Sequence, residues 1–320
     1  MAVYTHVEPD DLAALIARYD IGTVVSCKGI AEGVENSNFL LETTGGRFIL
    51  TLYEKRVSEG DLPFFVGLLD HLARRGCPVP AMIRDRDGTA IQQVSGRAAC
   101  VIQFLPGISL THPTVGQCAA AGAALGAMHR AVAGFAGARE NTMGHAHWRA
   151  IAEDAGDLDV VMPGLQAIVA AELDYLDAHW PHDLTAHVIH ADLFPDNVLM
   201  LGERVTGLID FYFAACDFRA YDVAVTHASW TFSADGTHCH ADRAVALMRG
   251  YARETALTDD EIAALPLLAR GAALRFLLTR AHDWVHTPSD ALVTRKDPAP
   301  FLARLRRYQA PDAASLFAVK

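Results

Sequence analysis

Hydrophobic and polar positions follow two different periods along the chain, and the change falls near residue 106. Before it, apolar runs alternate with turns and predict strands at residues 23–28, 38–43, 47–53, 81–84, 89–94 and 98–104. Residues 59–75 show the apolar spacing of a helix, and Asp10 is predicted to cap a shorter helix ahead of the first strand. The pattern therefore predicts a mostly antiparallel sheet that carries one main helix.

After the FLPG stretch at residues 104–107, the apolar period becomes helical. Helices are predicted at residues 115–132 and 165–180, and Thr258 with Glu261 forms a capping box for a further helical region. Pro266 is predicted to start a fresh helix there, because proline fits the first turn of a helix better than its interior. The chain is thus divided into a sheet segment, residues 1–106, and a mainly helical segment, residues 107–320.

Composition narrows the class of protein. The 320 residues suffice for two domains, and 27 Lys and Arg against 38 Asp and Glu give a net charge of −11, which argues against general nucleic-acid binding. The six cysteines include no C-x-x-C pair and are interpreted as reduced core residues of a cytoplasmic protein. The first residues show no signal-peptide pattern, and polar and proline residues interrupt the uncharged stretch 98–128, so no membrane span is expected.

Acidic and amide side chains with the spacing that phosphoryl transfer needs lie between residues 190 and 222. The sequence HADLFPDN supplies His190, Asp192 and Asn197, and an apolar hairpin follows it and ends at Asp210. Phosphoryl transfer to a hydroxyl needs one carboxylate that orients and deprotonates the acceptor, and an Asn and a second Asp that hold Mg²⁺ on the phosphates of ATP. The pattern predicts such a site; its alternative explanation is a His and an Asp that cap an ordinary turn.

The register of the hairpin decides how closely the two candidate metal ligands meet. Residues 198–201 and 205–209 are predicted to be its strands. A two-residue turn at 203–204 would place Asn197 opposite Asp210. A turn at 202–203 would shift the partner by two residues, which is still close. Both registers bring the two side chains to one end of the hairpin, with Asp192 on the loop just before it.

These motifs and their order resemble kinases of the aminoglycoside phosphotransferase and choline kinase type, a small-molecule branch of the protein-kinase fold. The resemblance covers nearly the whole chain, from the sheet segment through FLPG, HADLFPDN and IDF to Tyr221 and Asp222. Within this group, FILTLYEKR, LPFF, FLPGISL, HADLFPDNVLM and LIDFYFAACD are most similar to bacterial homoserine kinases of this fold. The resemblance implies an α+β, protein-kinase-like bilobal fold, with a small antiparallel-sheet lobe (residues 1–106) that binds nucleotide and a large, mainly helical lobe (residues 107–320) for catalysis and substrate.

The resemblance also implies roles for individual residues. Asp192 would be the catalytic base, Asn197 and Asp210 the Mg²⁺ ligands, and His190 a structural support of the loop. The expected reaction is transfer of a phosphoryl group from ATP to the hydroxyl of L-homoserine. The candidate nucleotide-binding residues lie in the first hairpin and in the stretch before Pro106: Gly29, Gly33, Asn36, Gln103, Phe104 and Leu105.

The sequence departs from the protein-kinase pattern in its first segment. The glycine loop G-x-G-x-x-G-x-V is absent, and Thr51 stands in the third strand where related kinases carry a phosphate-binding Lys or Arg. Lys28 or Lys55 could supply that charge, although their residue type favours solvation at the surface for each. Few residues separate Asp210 from Tyr221, so there is no room for a protein-kinase activation segment, which favours a small acceptor.

Other functions remain open at this stage: a kinase of choline, an aminoglycoside or a sugar, or a catalytically inactive nucleotide-binding module. Trp230 and Trp284 could line a cation pocket for choline, or pack in the core. Asp217, Arg275 and Asp283 could bind the ammonium and carboxylate groups of an amino acid, or form structural ion pairs. The histidine-rich stretches HAHW and HCH, at residues 145–148 and 238–240, lack partners at zinc spacing and are interpreted as polar loops.

Overall fold

The computed structural model describes residues 5–30, 36–54, 58–287 and 295–319. Within it the chain forms two compact units, Met1–Pro106 and Gly107–Lys320. The candidate nucleotide residue Gly33 and the candidate cation Lys55 lie outside the described residues. Each unit has its own secondary structure.

The first unit is an antiparallel sheet with two helices. Its elements in chain order are α1 (Pro9–Ile16), β1 (Val24–Gly29), β2 (Asn36–Thr43), β3 (Gly46–Tyr53), α2 (Leu62–Arg74), β4 (Met82–Ile83), β5 (Ile91–Val94) and β6 (Arg97–Gln103). The sheet order is β1-β2-β3-β6-β4, and β5 also pairs with β6. The strands predicted from the alternating pattern are all present, with ends that shift by one to a few residues.

Apolar side chains of the sheet and of α1 form the core of the first unit. Leu41, Leu50 and Val101 are 0% exposed in this cluster, and Leu15 and Ile16 of α1 pack into it. The predicted cap of α1 is wrong: the helix begins at Pro9, and the residue before it makes no side-chain capping bond. Proline takes the first helical position because that position needs no N–H donor, and this moves the start ahead of Asp10.

The second unit is mainly helical and carries two small antiparallel ribbons. Its elements are α3 (Val115–Ala131), α4 (Trp148–Ala155), α5 (Leu165–His179), β7 (Ala186–Ile189), β8 (Val198–Leu201), β9 (Arg204–Leu208), β10 (Ala215–Phe218), α6 (Arg219–Trp230), α7 (Ala241–Glu254), α8 (Asp259–His286) and α9 (Ala299–Tyr308). The strands β7 and β10 pair with each other, as do β8 and β9. The ribbons hold the HADLFPDN segment against the helices.

Glycines set the close packing of α3 on α7. A Cβ built on Gly122 would lie 2.0 Å from the carbonyl oxygen of Leu247, and one on Gly250 would lie 2.0 Å from that of Ala119. A side chain at either position would overlap backbone atoms of the facing helix. The contact therefore requires glycine on both helices, and it fixes α3 beside α7.

The long helix α8 runs through the core of the second unit. The capping box of Thr258 and Glu261 is present as predicted, but Pro266 does not start a new helix, because α8 continues through it. The carbonyl that loses its donor belongs to Ile262, a residue that is 49% exposed, so water can satisfy it. By length and hydropathy α8 could cross a membrane, but its apolar window is 61% buried within the unit, as in a core helix.

Candidate functional site

The loop of residues 190–197 follows β7 and is held by one buried carboxylate of α6. The backbone N–H groups of His190 and Ala191 donate to the two oxygens of Asp222, each at 2.8 Å. Ala191 has a φ of +63°, which is uncommon for a residue other than glycine. Asp222 therefore stabilises the backbone conformation from which Asp192 projects.

Asp222 is itself part of a buried network between helices. Its Oδ2 lies 2.9 Å from Nε2 of His129 on α3, and Nδ1 of His129 lies 2.9 Å from the hydroxyl of Tyr251 on α7. Burial raises the pKa of Asp222, but the hydrogen bond and charge of His129 and the N–H of His190 outweigh it, so the pKa is lowered overall. The carboxylate is thus kept ionised, as an acceptor of several hydrogen bonds must be.

His190 links the 190–197 loop to the following hairpin. Its Nε2 donates to the carbonyl of Ile209 at 3.0 Å, and its Nδ1 accepts the backbone N–H of Asp192 at 3.3 Å. Burial lowers the pKa of the ring, and its two bonds require the neutral form with a proton on Nε2. His190 therefore orients Asp192 and the residue just before Asp210.

Asp192 stands at the centre of this loop in a strongly perturbed environment. Its pKa is raised to about 8, by burial first and then by the charge of Asp210, against the lowering effect of Arg275. The amide of Asn197 donates from Nδ2 to the Asp192 carbonyl at 2.8 Å and to its Oδ2 at 3.1 Å. A carboxylate with a raised pKa suits a group that accepts a proton from an alcohol.

Asn197 and Asp210 meet at the base of the β8–β9 hairpin. Leu201 pairs with Arg204, so the turn is at residues 202–203, which is the second of the two predicted registers. A bulge between Leu199 and Met200 shifts the pairs further from the turn by one residue. The backbone N–H of Ile209 consequently donates to the Asn197 carbonyl at 3.0 Å. Asp210 follows directly, with a φ of +64° that turns it out of the strand direction.

This donor set fits a magnesium ion. Both hydrogens of the Asn197 amide point to Asp192, which leaves its oxygen available to a metal, and Asp210 would add carboxylate oxygens. Among the described residues no group of three or more His, Cys, Asp or Glu could hold a metal by itself. Magnesium in phosphoryl-transfer sites takes one or two protein oxygens together with phosphates and water, so a pair is sufficient.

The acceptor candidates occupy different surroundings. Arg275 on α8 is 2% exposed, donates to the carbonyl of Ala191, and lies 4.5 Å from the Phe276 ring centroid. Asp217 on β10 accepts the Asn141 amide at 2.6 Å. Asp283 lies near the end of α8, 3.6 Å from His282. Arg275 thus adjoins the loop, Asp217 lies opposite His187 on the β7–β10 ribbon, and Asp283 lies two turns further along α8.

The tryptophans considered for a choline pocket lie apart. Trp230 is 1% exposed and its indole N–H donates to the carbonyl of Leu193 at 2.8 Å, so it packs beneath the 190–197 loop. Trp284 lies on α8, with the guanidinium of Arg295 5.4 Å from its ring. The structure does not bring the two indoles together into one cage.

The candidate nucleotide residues of the first unit lie on β1, β2 and the end of β6. Gly29 ends β1 and Asn36 begins β2, where its side-chain Oδ1 accepts the N–H of Glu54 at 3.3 Å. The Nδ2 of Asn36 is buried with no hydrogen-bond partner in the described residues. Thr51, in the position of the absent strand-three cation, donates to Oδ1 of Asn38 at 2.8 Å.

The end of β6 leads into the other nucleotide candidates. Gln103 closes the strand opposite Phe48 and donates its backbone N–H to the Ala81 carbonyl at 2.9 Å. Phe104 packs under Arg47, whose guanidinium is 4.6 Å from the ring centroid, and Leu105 follows. Lys28 is exposed on β1 and offers no described contact to these residues.

The histidine-rich stretches form separate polar contacts. His145 bonds to Asp177 at 2.8 Å, whereas His147 bonds to Glu140 at 2.9 Å. His238 and His240 face each other with ring centroids 4.9 Å apart and have no acidic partner that completes a metal site in the described chain. The interpretation as a polar loop agrees with residues 238–240, whereas residues 145–147 form a short 3-10 helix that leads into α4.

Sequence reasoning missed the supports of the 190–197 loop. His129 contacts Asp222, Trp230 contacts the loop and Tyr251 contacts His129, and none was singled out for that role. A histidine in the otherwise uncharged apolar stretch before Arg130 was the available signal, since a buried imidazole needs a partner. Its partner could not be identified, because Asp222 lies 93 positions away.

The class of protein indicated is a small-molecule kinase. The features that indicate it are the candidate base Asp192, the candidate metal ligands Asn197 and Asp210, and the antiparallel sheet of the first unit. The chain belongs to the phosphotransferase enzyme family, whose model matches residues 26–257. The family resemblance drawn from the sequence motifs is confirmed by this match.

Similar curated proteins are named for one substrate. The chain is 51% identical to the homoserine kinase of Sinorhizobium fredii (strain NBRC 101917 / NGR234), over 100% of this chain and 98% of that protein. It is 52% identical to the homoserine kinase of Xanthobacter autotrophicus (strain ATCC BAA-1158 / Py2), over 98% of each chain.

Solved structures of low identity share the fold. An amicoumacin kinase in complex with AMP-PNP, Ca²⁺ and Ami matches with a TM-score of 0.70 at 16% identity, over 96% of this chain and 93% of that one. A microcompartment-associated aminopropanol kinase matches with a TM-score of 0.66 at 17% identity, over 97% of this chain and 100% of that one. At this identity the likeness concerns the fold alone, and it confirms the predicted fold class.

Proposed function

We propose that this protein is an ATP-dependent kinase that phosphorylates the hydroxyl of L-homoserine to O-phospho-L-homoserine. The observation that carries the proposal is the identity of about half of all positions, over essentially the whole chain, to proteins named homoserine kinase. The product would serve threonine synthesis, and the reaction would take place in the cytoplasm. All six cysteines are free thiols, which agrees with a reducing compartment.

Asp192 is the proposed base. It would accept the proton of the homoserine hydroxyl as the oxygen attacks the γ-phosphorus of ATP, and ADP leaves with the electrons of the broken P–O bond. Its raised pKa, from burial first and from Asp210 second, supports proton acceptance. The amide of Asn197 and the ring of His190 hold the carboxylate and its backbone in place.

Asn197 and Asp210 are the proposed ligands of Mg²⁺. When bound, the ion would neutralise charge on the phosphates of ATP. Gly29, Gly33, Asn36, Gln103, Phe104 and Leu105 remain the proposed nucleotide-binding residues. Asp217, Arg275 and Asp283 remain candidates for contact with the acceptor, and the enclosure of Arg275 favours a role in holding the loop.

The test is ADP release at fixed Mg-ATP with a panel of acceptors: L-homoserine, choline, kanamycin and methylthioribose. We expect turnover with L-homoserine and at least 10³-fold lower kcat/KM with choline, since a site that pairs both charges of an amino acid leaves one unpaired with a cation. Phosphorus NMR identifies the product. If another alcohol is phosphorylated and homoserine is not, the protein is still a kinase, but the assignment of homoserine as its substrate is wrong.

A further inference from the structure

Two arginine side chains share one aromatic ring beside the 190–197 loop. Arg280 lies on α8 and Arg304 on α9, and each guanidinium carbon is 4.5 Å from the ring centroid of Phe301. The Phe301 centroid lies 6.2 Å from that of Phe194, two residues after Asp192. We call Arg280, Arg304 and Phe301 the arginine cluster. It is a basic site adjacent to the proposed base.

Neither arginine of the cluster forms an ion pair with a carboxylate in the described chain. Arg280 donates from Nη1 to the carbonyl of Asp297 at 3.0 Å. Arg304 donates from Nη2 to the carbonyl of Ser233 at 3.3 Å, while its Nε is buried with no partner among the described residues. Each guanidinium therefore keeps donors that no group of the described residues uses.

Two other half-buried arginines of the same unit are each paired with a carboxylate. Arg219 donates from Nε and Nη2 to the two oxygens of Glu261, both at 2.7 Å. Arg270 forms the same two-bond pair with Glu172, again at 2.7 Å. Arg219 and Arg270 thus each have a matched carboxylate, whereas the described residues supply none for the arginine cluster.

The unneutralised pair is energetically unfavourable without an anion. The pKa of Arg280 is lowered to about 10, by burial first and then by the charge of Arg304, against the raising effect of Asp196, Asp297 and Asp192. Arg304 is 7% exposed, but Arg280 is partly exposed, so a small ligand can reach the cluster. Two like charges held near each other away from water favour a bound anion.

We propose that Arg280 and Arg304 bind the carboxylate of the amino-acid acceptor and so determine the choice of amino acids over amino alcohols. This inference rests on the proposed function. The planar guanidinium matches a carboxylate with two parallel hydrogen bonds. Arg275 is less suited, because it is enclosed and already donates to the Ala191 carbonyl.

The experiment compares L-homoserine with 3-aminopropan-1-ol, which is homoserine without its carboxylate. For Arg280→Gln and for Arg304→Gln we expect the KM for L-homoserine to rise by roughly 10- to 100-fold, the factor that follows the loss of a charge-assisted hydrogen bond. The kinetics with 3-aminopropan-1-ol and the calorimetric Kd of Mg-ATP should not change. Arg280→Lys should recover part of the loss, and Arg306→Gln, at an exposed position of α9, is the matched control.

Three outcomes would overturn the inference. An unchanged KM for L-homoserine in Arg280→Gln shows that the cluster binds no acceptor carboxylate. An equal rise in KM for L-homoserine and for 3-aminopropan-1-ol, or a weaker Kd for Mg-ATP, shows that the arginines act through the fold. Absence of homoserine turnover in the unsubstituted protein contradicts the proposed function and removes this inference with it, and that result is seen before any variant is made.

Discussion

The carboxylate of Asp222 accepts the backbone N–H of Ala191 at 2.8 Å, across 31 positions of sequence. The carbonyl of the same Ala191 accepts a hydrogen bond from Arg275. Both backbone groups of a residue in the left-handed region are therefore held by buried charged side chains, which offsets the roughly 1–2 kcal/mol that this conformation costs a residue with a Cβ. The position of Asp192 thus depends on residues outside its own motif.

Replacing Asp222 tests this dependence. Asp222→Asn keeps the size but has one acceptor oxygen for two N–H groups and His129, so we expect a loss of about 2–3 kcal/mol in unfolding free energy. We also expect kcat to fall by about 10-fold or more, because Asp192 is less well placed. Urea unfolding and steady-state kinetics measure both. The control is Asp242→Asn, at an exposed position of α7; equal behaviour of the two variants would contradict the prediction.

Asp192→Asn should separate binding from chemistry. The amide cannot accept the acceptor proton, so we expect kcat to fall by about 100-fold or more while the Kd of Mg-ATP changes little. Rapid quench and calorimetry provide the two measurements. Asp196→Asn, at an exposed position of the same loop, serves as the control. Near-normal turnover in Asp192→Asn would exclude it as the base.

Asp210→Ala should remove the effect of magnesium on nucleotide binding. In the unsubstituted protein we expect Mg²⁺ to tighten ATP binding, because Asp210 would hold the ion and the ion would neutralise charge on the phosphates. In the variant the Kd of ATP should be nearly the same with and without Mg²⁺, as calorimetry can show. In the control variant Glu203→Ala, at the exposed turn of the same hairpin, Mg²⁺ should still tighten ATP binding. A retained magnesium effect in Asp210→Ala would remove Asp210 from the ligand set.

Protonation of the buried His227 is expected to lower the stability of the second unit in acid. Burial lowers its pKa from 6.5 to about 4, and its ring bonds to the Tyr308 hydroxyl at 2.8 Å and the Leu316 carbonyl at 3.1 Å. The unfolded chain therefore binds a proton that the folded one does not. This contribution to stability is complete above the unfolded pKa and is lost as the pH falls towards about 4, by at most about 3 kcal/mol.

The measurement is the Tm of the unsubstituted protein and of His227→Gln between about pH 7.5 and about pH 4.5. The variant lacks the titrating ring, so the Tm advantage of the unsubstituted protein should shrink as the pH falls. His238→Gln, at an exposed position, should give a constant difference. A Tm difference for His227→Gln that does not vary with pH would contradict the assignment.

The sequence by itself determined the elements and the chemistry-bearing loop. Alternating apolar residues specify β2 and β3, and helical spacing specifies α3 and α5, because each pattern records which side of a local element is buried. The spacing of Asp192 and Asn197 is local too, so the loop could be found without a structure. The family then followed from motifs spread over the chain, and the comparisons bear it out.

The tertiary structure alone decided what holds that loop and what surrounds it. The bulge between Leu199 and Met200 sets the partner of Asn197 at Ile209, a register that neither simple turn predicts. The course of α8 through Pro266 likewise depends on burial against neighbouring helices, which outweighs a local preference. His129 and Arg304 gain their surroundings from distant segments. Sequence spacing records local geometry, whereas the free energy of a buried charge depends on which distant groups the fold brings within reach.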